Sequence, residues 1–163
     1  MCEIRNPKST IGNCAPADKH SMFEQRISEL DRVVTEDVVC IDMDFTLLKA
    51  IELCSEKRIR HLPVLDENRR LAGIVTDRDL RYFLSPRLGT ISENSSDRES
   101  LSRHVHQMMV RKVICATTDM TLSEAAQLML TNRIGCLPVV NDDRRVVGII
   151  TTSDILRYIA KNP

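Results

Sequence analysis

Gly73-Ile74-Val75-Thr76-Asp77-Arg78-Asp79 reads as the end of an apolar strand running into the start of a helix. The same pattern returns 75 positions later as Gly148-Ile149-Ile150-Thr151-Thr152-Ser153-Asp154. In both stretches Thr stands three residues before Asp, where strand gives way to helix. Laying Val38–Leu84 over Val113–Ile159 at that shift gives 18 identities in 47 positions without a gap. Unrelated segments of average composition would share roughly 3. The chain therefore carries two copies of one supersecondary unit.

Working outward, Leu71–Val75 and Val146–Ile150 are apolar strands entered from polar turns, Asp66 to Arg70 and Asn141 to Arg145. Before those turns lie Ile59-Arg60-His61-Leu62-Pro63-Val64-Leu65 and Ile134-Gly135-Cys136-Leu137-Pro138-Val139-Val140. The short turns make each pair an antiparallel hairpin. A proline inside a strand places it at an edge or a bulge. Further upstream, Leu47, Ala50, Ile51 and Cys54 recur at helical spacing, as do Leu122, Ala125, Ala126 and Met129. Thr121-Leu122-Ser123-Glu124 is a capping-box sequence, whereas the first copy has Lys49 in place of the Glu and a weaker cap. Short apolar runs, Val38–Ile41 and Val113–Ala116, open the copies as buried strands, each joined to a parallel neighbour by a right-handed crossover. Each copy is thus strand, helix, strand, strand, helix.

Ile27, Leu30, Val33 and Val34 suggest a short helix before the first copy, and Val105, Met108 and Met109 hold the matching place before the second. Residues 1–25 show no period and are expected to form a flexible or loosely docked arm. Ser85–Ser100 is a polar loop linker, after which Leu101 to Met109 returns to helix. The organisation expected is an arm over 1–25, repeat one over 26–84, the linker over 85–100 and repeat two over 101–160. A unit of about 50 residues leaves one sheet face uncovered and is marginal alone. Two copies can cover each other around a pseudo-twofold axis, creating two related clefts.

With 163 residues, 23 Lys+Arg against 23 Asp+Glu and 3% aromatics, the chain lacks the basic excess and aromatic platforms of nucleic-acid binders. No run is long and apolar enough to span a bilayer, and Met1 to His20 lacks the apolar stretch of a signal peptide. These readings predict a cytoplasmic protein with reduced thiols. Cys40, Cys54, Cys115 and Cys136 fall in apolar segments as small buried residues, while Cys2 and Cys14 lie in the polar leader. No CxxC spacing points to zinc, and His104 and His106 have no carboxylate or Cys at ligand spacing, so no metal site is expected. GxSxG, Walker A, HExxH and GxGxxG are absent, and catalysis has no support.

The paired repeats, with Leu-Pro-Val on the second strand and Gly-x-x-Thr-x-x-Asp at the last strand-to-helix junction, resemble a tandem pair of cystathionine-β-synthase-type (CBS) domains from Ile27 to about Ala160. The string His61-Leu62-Pro63-Val64 with Gly73 to Arg81 is similar to the stand-alone bacterial CBS proteins of the acetoin-utilisation type. The resemblance implies an α/β (α+β) fold of two β-α-β-β-α repeats packed as one module. It also implies a regulatory module binding adenosine compounds (AMP, ADP, ATP, S-adenosylmethionine or a dinucleotide) between the repeats, a homodimer, and no named effector protein.

By the same resemblance, Asp79 and Asp154 take ribose hydroxyls, while Thr76 with Arg78, and Thr151 with Ser153, contact ribose or phosphate. The adenine would lie against the opposite repeat: Val39, Ile59, Arg60 and His61 for the Asp154 site; Ile114, Ile134, Gly135 and Cys136 for the Asp79 site. The chemistry agrees. A carboxylate accepts from vicinal hydroxyls, a helix N-terminus favours phosphate, Arg78 can fork onto phosphate oxygens, and Gly135 allows close approach. With Arg60 and His61 facing it, the Asp154 site is expected to favour a phosphorylated nucleotide, and the Asp79 site to bind more weakly or to prefer a different ligand.

Each feature also has a plainer account. Thr-x-x-Asp at a helix start is a cap by itself, and Arg60, Arg78 and His61 can be solvated or strand-edge residues. The alternatives to the ligand-binding reading are therefore a structural, interaction and dimerisation module with degenerate clefts, and an enzyme acting on a nucleotide.

Overall fold

The computed structural model describes Gly12–Asn13 and residues 30–162. Most of the expected arm over 1–25, and the first residues of the helix expected from Ile27, lie outside the described residues. The element order is β1 (Gly12–Asn13), β2 (Val39–Asp42), α1 (Leu47–Lys57), β3 (His61–Leu65), β4 (Leu71–Thr76), α2 (Asp77–Tyr82), α3 (Ser95–Glu99), β5 (Ala116–Thr117), α4 (Leu122–Asn132), β6 (Cys136–Val140), β7 (Val146–Thr151) and α5 (Thr152–Lys161). Repeat one is β2-α1-β3-β4-α2 and repeat two is β5-α4-β6-β7-α5, the α/β arrangement anticipated from the pattern.

The sheets run β1-β2-β3-β4 and β5-β6-β7. In each, the first two repeat strands are parallel and the last two antiparallel, with matching registers: Leu62 faces Val75 and Pro63 faces Ile74 in one, Leu137 faces Ile150 and Pro138 faces Ile149 in the other. The prolines therefore sit in central strands, not at edges. The Asp77 N–H donates to the Arg60 carbonyl at 2.9 Å, which sets the phase of the hairpin so that Pro63 turns its nitrogen away from β4. Pairing with β2 begins only at Val64, one residue further on, and with β5 only at Val139. The end of a short ladder, beside a bulge at Val64/Leu65 and Val139/Val140, replaces the edge.

Two expected elements are shorter. Of Val113–Ala116 only Ala116 enters the sheet, together with Thr117 beyond it. Leu101 to Met109 forms no α-helix but two 3-10 turns, Ser100–Ser102 and Val105–Gln107. Its backbone donors are spent across the chain: Val105 N–H on the Phe45 carbonyl at 2.8 Å and His106 N–H on the Met43 carbonyl at 3.2 Å. The linker in turn holds the short helix α3, capped by Asn94 with Asp97 in a reciprocal box.

The repeats are tied by exchange. Leu30 and Val33 precede repeat one but are buried in the core of repeat two with Leu137, Val139 and Ile150. Val105 and Met109 precede repeat two but are buried in the core of repeat one with Leu62, Val64 and Val75. Backbone bridges repeat the trade, Thr35 with Ile149 and Val110 with Ile74. A third cluster, Val38, Cys40, Leu65, Leu71 and Val146, forms the seam between the two sheets. Along β2 the side chains alternate, Ile41 into the core of repeat one and Cys40 into the seam.

Candidate functional site

The polypeptide makes the same turn at the end of β4 and of β7, because Thr-x-x-Asp satisfies the helix start from within. Thr76 Oγ1 accepts from the Asp79 N–H at 3.2 Å, while Asp79 Oδ2 accepts from the Thr76 N–H at 3.2 Å and the Thr76 hydroxyl at 2.6 Å. Thr151 and Asp154 repeat this at 3.4, 2.9 and 2.6 Å. Both boxes use only Oδ2, leaving Oδ1 outside the cap. At Asp154 that oxygen accepts from Arg157 Nη1 at 2.8 Å. At Asp79 it has no partner among the described residues; the position three beyond it is Tyr82. Capping is thus real at both sites and leaves one carboxylate oxygen available, fully at Asp79 and in competition with Arg157 at Asp154.

The antiparallel hairpin brings the start of the preceding strand beside each turn. His61 lies opposite Thr76 and Cys136 opposite Thr151. The Arg60 carbonyl takes the Asp77 N–H, and the Gly135 carbonyl takes the Thr152 N–H at 3.1 Å. Each repeat therefore gathers its predicted residues at one end of its own sheet. In repeat one these are Thr76, Arg78 and Asp79 with Arg60 and His61; in repeat two, Thr151, Ser153 and Asp154 with Gly135 and Cys136. Arg78 and Ser153 are exposed at the helix starts. Val39 and Ile59 are half-buried against the core of repeat one, Ile114 and Ile134 against that of repeat two. A methyl group on Gly135 would meet nothing nearer than Thr152 Oγ1 at 3.8 Å, so the space before it is open.

The first strands run along the seam: Val38 and Cys40 flank Val39, while Val113 and Cys115 flank Ile114, and all four flanking residues pack in the cluster between the sheets. Leu71 N–H reaches across to the Arg144 carbonyl at 2.9 Å.

Burial sets the electrostatics. It lowers the pKa of His61, with Arg60 adding to the effect and Asp79 opposing it. Its ring is therefore neutral at pH 7 and supplies no charge there, which removes one ground for a phosphate preference. Burial first and then the Asp154 carboxylate push the Cys136 thiol up to about 12. Cys54 is pushed to about 11 by burial first and then Asp77. Both are unreactive thiols at neutral pH. His104 and His106 stack with ring centroids 5.5 Å apart, and their Nδ1 atoms meet the Asp44 and Met43 carbonyl oxygens at 2.8 and 3.0 Å. They pin the stretch before repeat two onto repeat one. Arg157, which sequence reasoning missed, was readable from its three-residue spacing to Asp154.

Among the described residues no helix is long and apolar enough to cross a membrane. The CBS domain pattern matches residues 27–86 and 105–161. An inosine-5'-monophosphate dehydrogenase of Methanocaldococcus jannaschii is 35% identical over 82% of the chain, which spans only 24% of that enzyme. The chain is similar to the CBS domain pair of protein MJ0100, solved with 5'-methylthioadenosine and S-adenosyl-L-methionine (TM-score 0.70, 27% identity, 85% of this chain and 100% of that one). It is similar to CBSX2 solved in complex with AMP (0.65, 26%, 79% and 92%). It is also similar to a putative acetoin utilization protein, AcuB, of Vibrio cholerae (0.66, 32%, 80% and 87%).

Proposed function

Because the chain belongs to the CBS domain family, we propose that it is a regulatory module that holds an adenosine-containing ligand between its repeats. The observation that carries this reading is the Oδ1 of Asp79, left over by the helix cap at the end of β4 and without an intramolecular partner among the described residues. A carboxylate so placed accepts from vicinal ribose hydroxyls without giving up its capping bonds. The adenine would lie against the first strand and the start of the second strand of the other repeat, and the run of both first strands along the seam supports that placement. The ligand is an adenosine compound, as are the AMP and S-adenosylmethionine of the similar structures, and the candidates are AMP, ADP, ATP and S-adenosylmethionine. The Asp79 cleft fills first, since at Asp154 the ligand must displace Arg157 from a half-exposed pair worth up to about 1 kcal/mol. The module acts in the cytoplasm as a homodimer, without catalysis of its own, and works by binding its ligand more tightly in one conformation than another.

A thermal-shift series with these four ligands tests the proposal. Ligand at 100 times its dissociation constant stabilises by about 2.7 kcal/mol, or several degrees for a chain of this size. Asp79→Ala and Asp154→Ala each lower the ligand-free transition by loss of a capping box, about 1 kcal/mol. Only the shift added by ligand reports binding, and Asp79→Ala should reduce it more. No shift with any of the four would leave a structural or interaction module as the better account.

A further inference from the structure

A feature the fold requires should occur in both repeats; one that occurs once has another cause. Where α1 ends and α2 begins, repeat one has an open surface notch of about 240 Å³. Arg58, Arg60 and Arg81 line it, with Ser55 and Asp77 between them and Cys54 and Ile59 as its apolar wall. Every lining residue belongs to repeat one, and neither Asp79 nor Asp154 takes part. Arg81 Nε is 3.0 Å from both oxygens of Asp77. Arg58 and Arg60 are exposed and make no ion pair among the described residues. Three guanidiniums against one carboxylate leave a local excess of two positive charges. That outweighs the partial negative charge of the α1 C-terminus.

At the 75-residue shift, the positions of Cys54, Ser55, Arg60, Asp77 and Arg81 hold Met129, Leu130, Gly135, Thr152 and Leu156. Arg58 alone has a charged twin, Arg133, and both adopt the same left-handed cap conformation, φ 54°. The backbone of the notch is common to both repeats, and its charge is not. We propose that this notch, which borders the Asp154 cleft at Ile59 and Arg60 but is built on Arg58 and Arg81 outside both clefts, is an anion site that takes one phosphate group, either free phosphate or the end of a small phosphomonoester. Guanidinium forks match phosphate oxygens. The notch is open and small, below the roughly 300 Å³ where pockets for whole drug-sized ligands begin, which suits a single phosphate group. The Arg58 N–H is already spent on the Cys54 and Ser55 carbonyls, so recognition falls to the side chains.

Calorimetric titration of the full chain at fixed ionic strength, with inorganic phosphate and separately with glycerol 3-phosphate, tests this. Saturable uptake of one equivalent is expected, weakened about tenfold per lost guanidinium in Arg58→Gly, which suits the left-handed backbone, and in Arg81→Leu, which copies repeat two. Asp79→Ala and Asp154→Ala, which remove the ribose-binding carboxylate of each cleft, should leave it unchanged, so the outcome does not depend on whether the clefts bind adenosine. The tighter of the two titrants identifies the source of the phosphate group. Uptake that never saturates, or that both arginine variants retain in full, or that Asp79→Ala or Asp154→Ala abolishes, overturns the site.

Discussion

His61 and Cys136 occupy the same place in the two repeats, opposite the capping threonine, and only one of them titrates in the physiological range. Burial lowers the His61 pKa below its usual 6.5, so the folded chain prefers the neutral ring. The unfolded chain then binds the proton first, and stability rises with pH through that window. The contribution is intact above pH 6.5 and is lost as pH falls through the lowered folded value. Melting temperature should therefore drop more steeply from pH 7 to pH 5 in the native chain than in His61→Gln, and parallel curves would refute it. Arg78 and Ser153 stand exposed where the pattern put them. Arg157 had a signal in its spacing to Asp154, but nothing local distinguishes Arg58 or Arg81 from solvated arginines.

At the level of elements, what was legible was local. Thr121-x-x-Glu124 announced α4, the weaker start of α1 at Thr46 follows from Lys49, and both hairpins follow from five-residue polar turns. What was not legible was exchange between segments far apart in sequence. Nothing near Leu30 or Val105 says that each enters the core of the repeat it does not precede, and the helix expected at Leu101 to Met109 failed because its donors were claimed by Met43 and Phe45. The two glycines of the opening motif mark where these exchanged segments cross. A methyl group on Gly148 would collide with Val34 Cγ1, and one on Gly73 with Met109 Sδ and, at 3.0 Å, the Val110 carbonyl oxygen. Valine is stiff at χ1 and methionine is not. Gly148→Ala should therefore cost more than Gly73→Ala, within about 1–3 kcal/mol. Urea denaturation of the two variants checks the order; equal midpoints would show that Val34 yields as easily as Met109.

For the whole molecule, the same comparison of twins says how two copies would meet. Ser55 and Arg81 come together at the notch of repeat one, so their counterparts Leu130 and Leu156 are neighbours by the same architecture. Leu130 is 74% exposed, Leu156 66% and Ile159 56%, and no residue of α5 is fully buried. An interface on a twofold axis must suit itself. An apolar face does, whereas two basic notches repel each other and a notch offers a leucine face nothing. The homodimer should therefore form repeat two against repeat two. Each Leu or Ile taken from water contributes about 1.5–3 kcal/mol, and on a twofold axis every substitution counts twice. Leu156→Asp should thus weaken association by more than about 3 kcal/mol, over a hundredfold, and light scattering at micromolar concentration should give two chains for the native protein and one for the variant. Because Leu156 is exposed, the variant should keep its fold, with an unchanged far-ultraviolet circular dichroism spectrum. Arg81→Asp, on the other repeat, should leave the dimer mass unchanged. If Arg81→Asp dissociates the dimer and Leu156→Asp does not, the copies meet through repeat one; a native protein of one-chain mass would remove the dimer altogether.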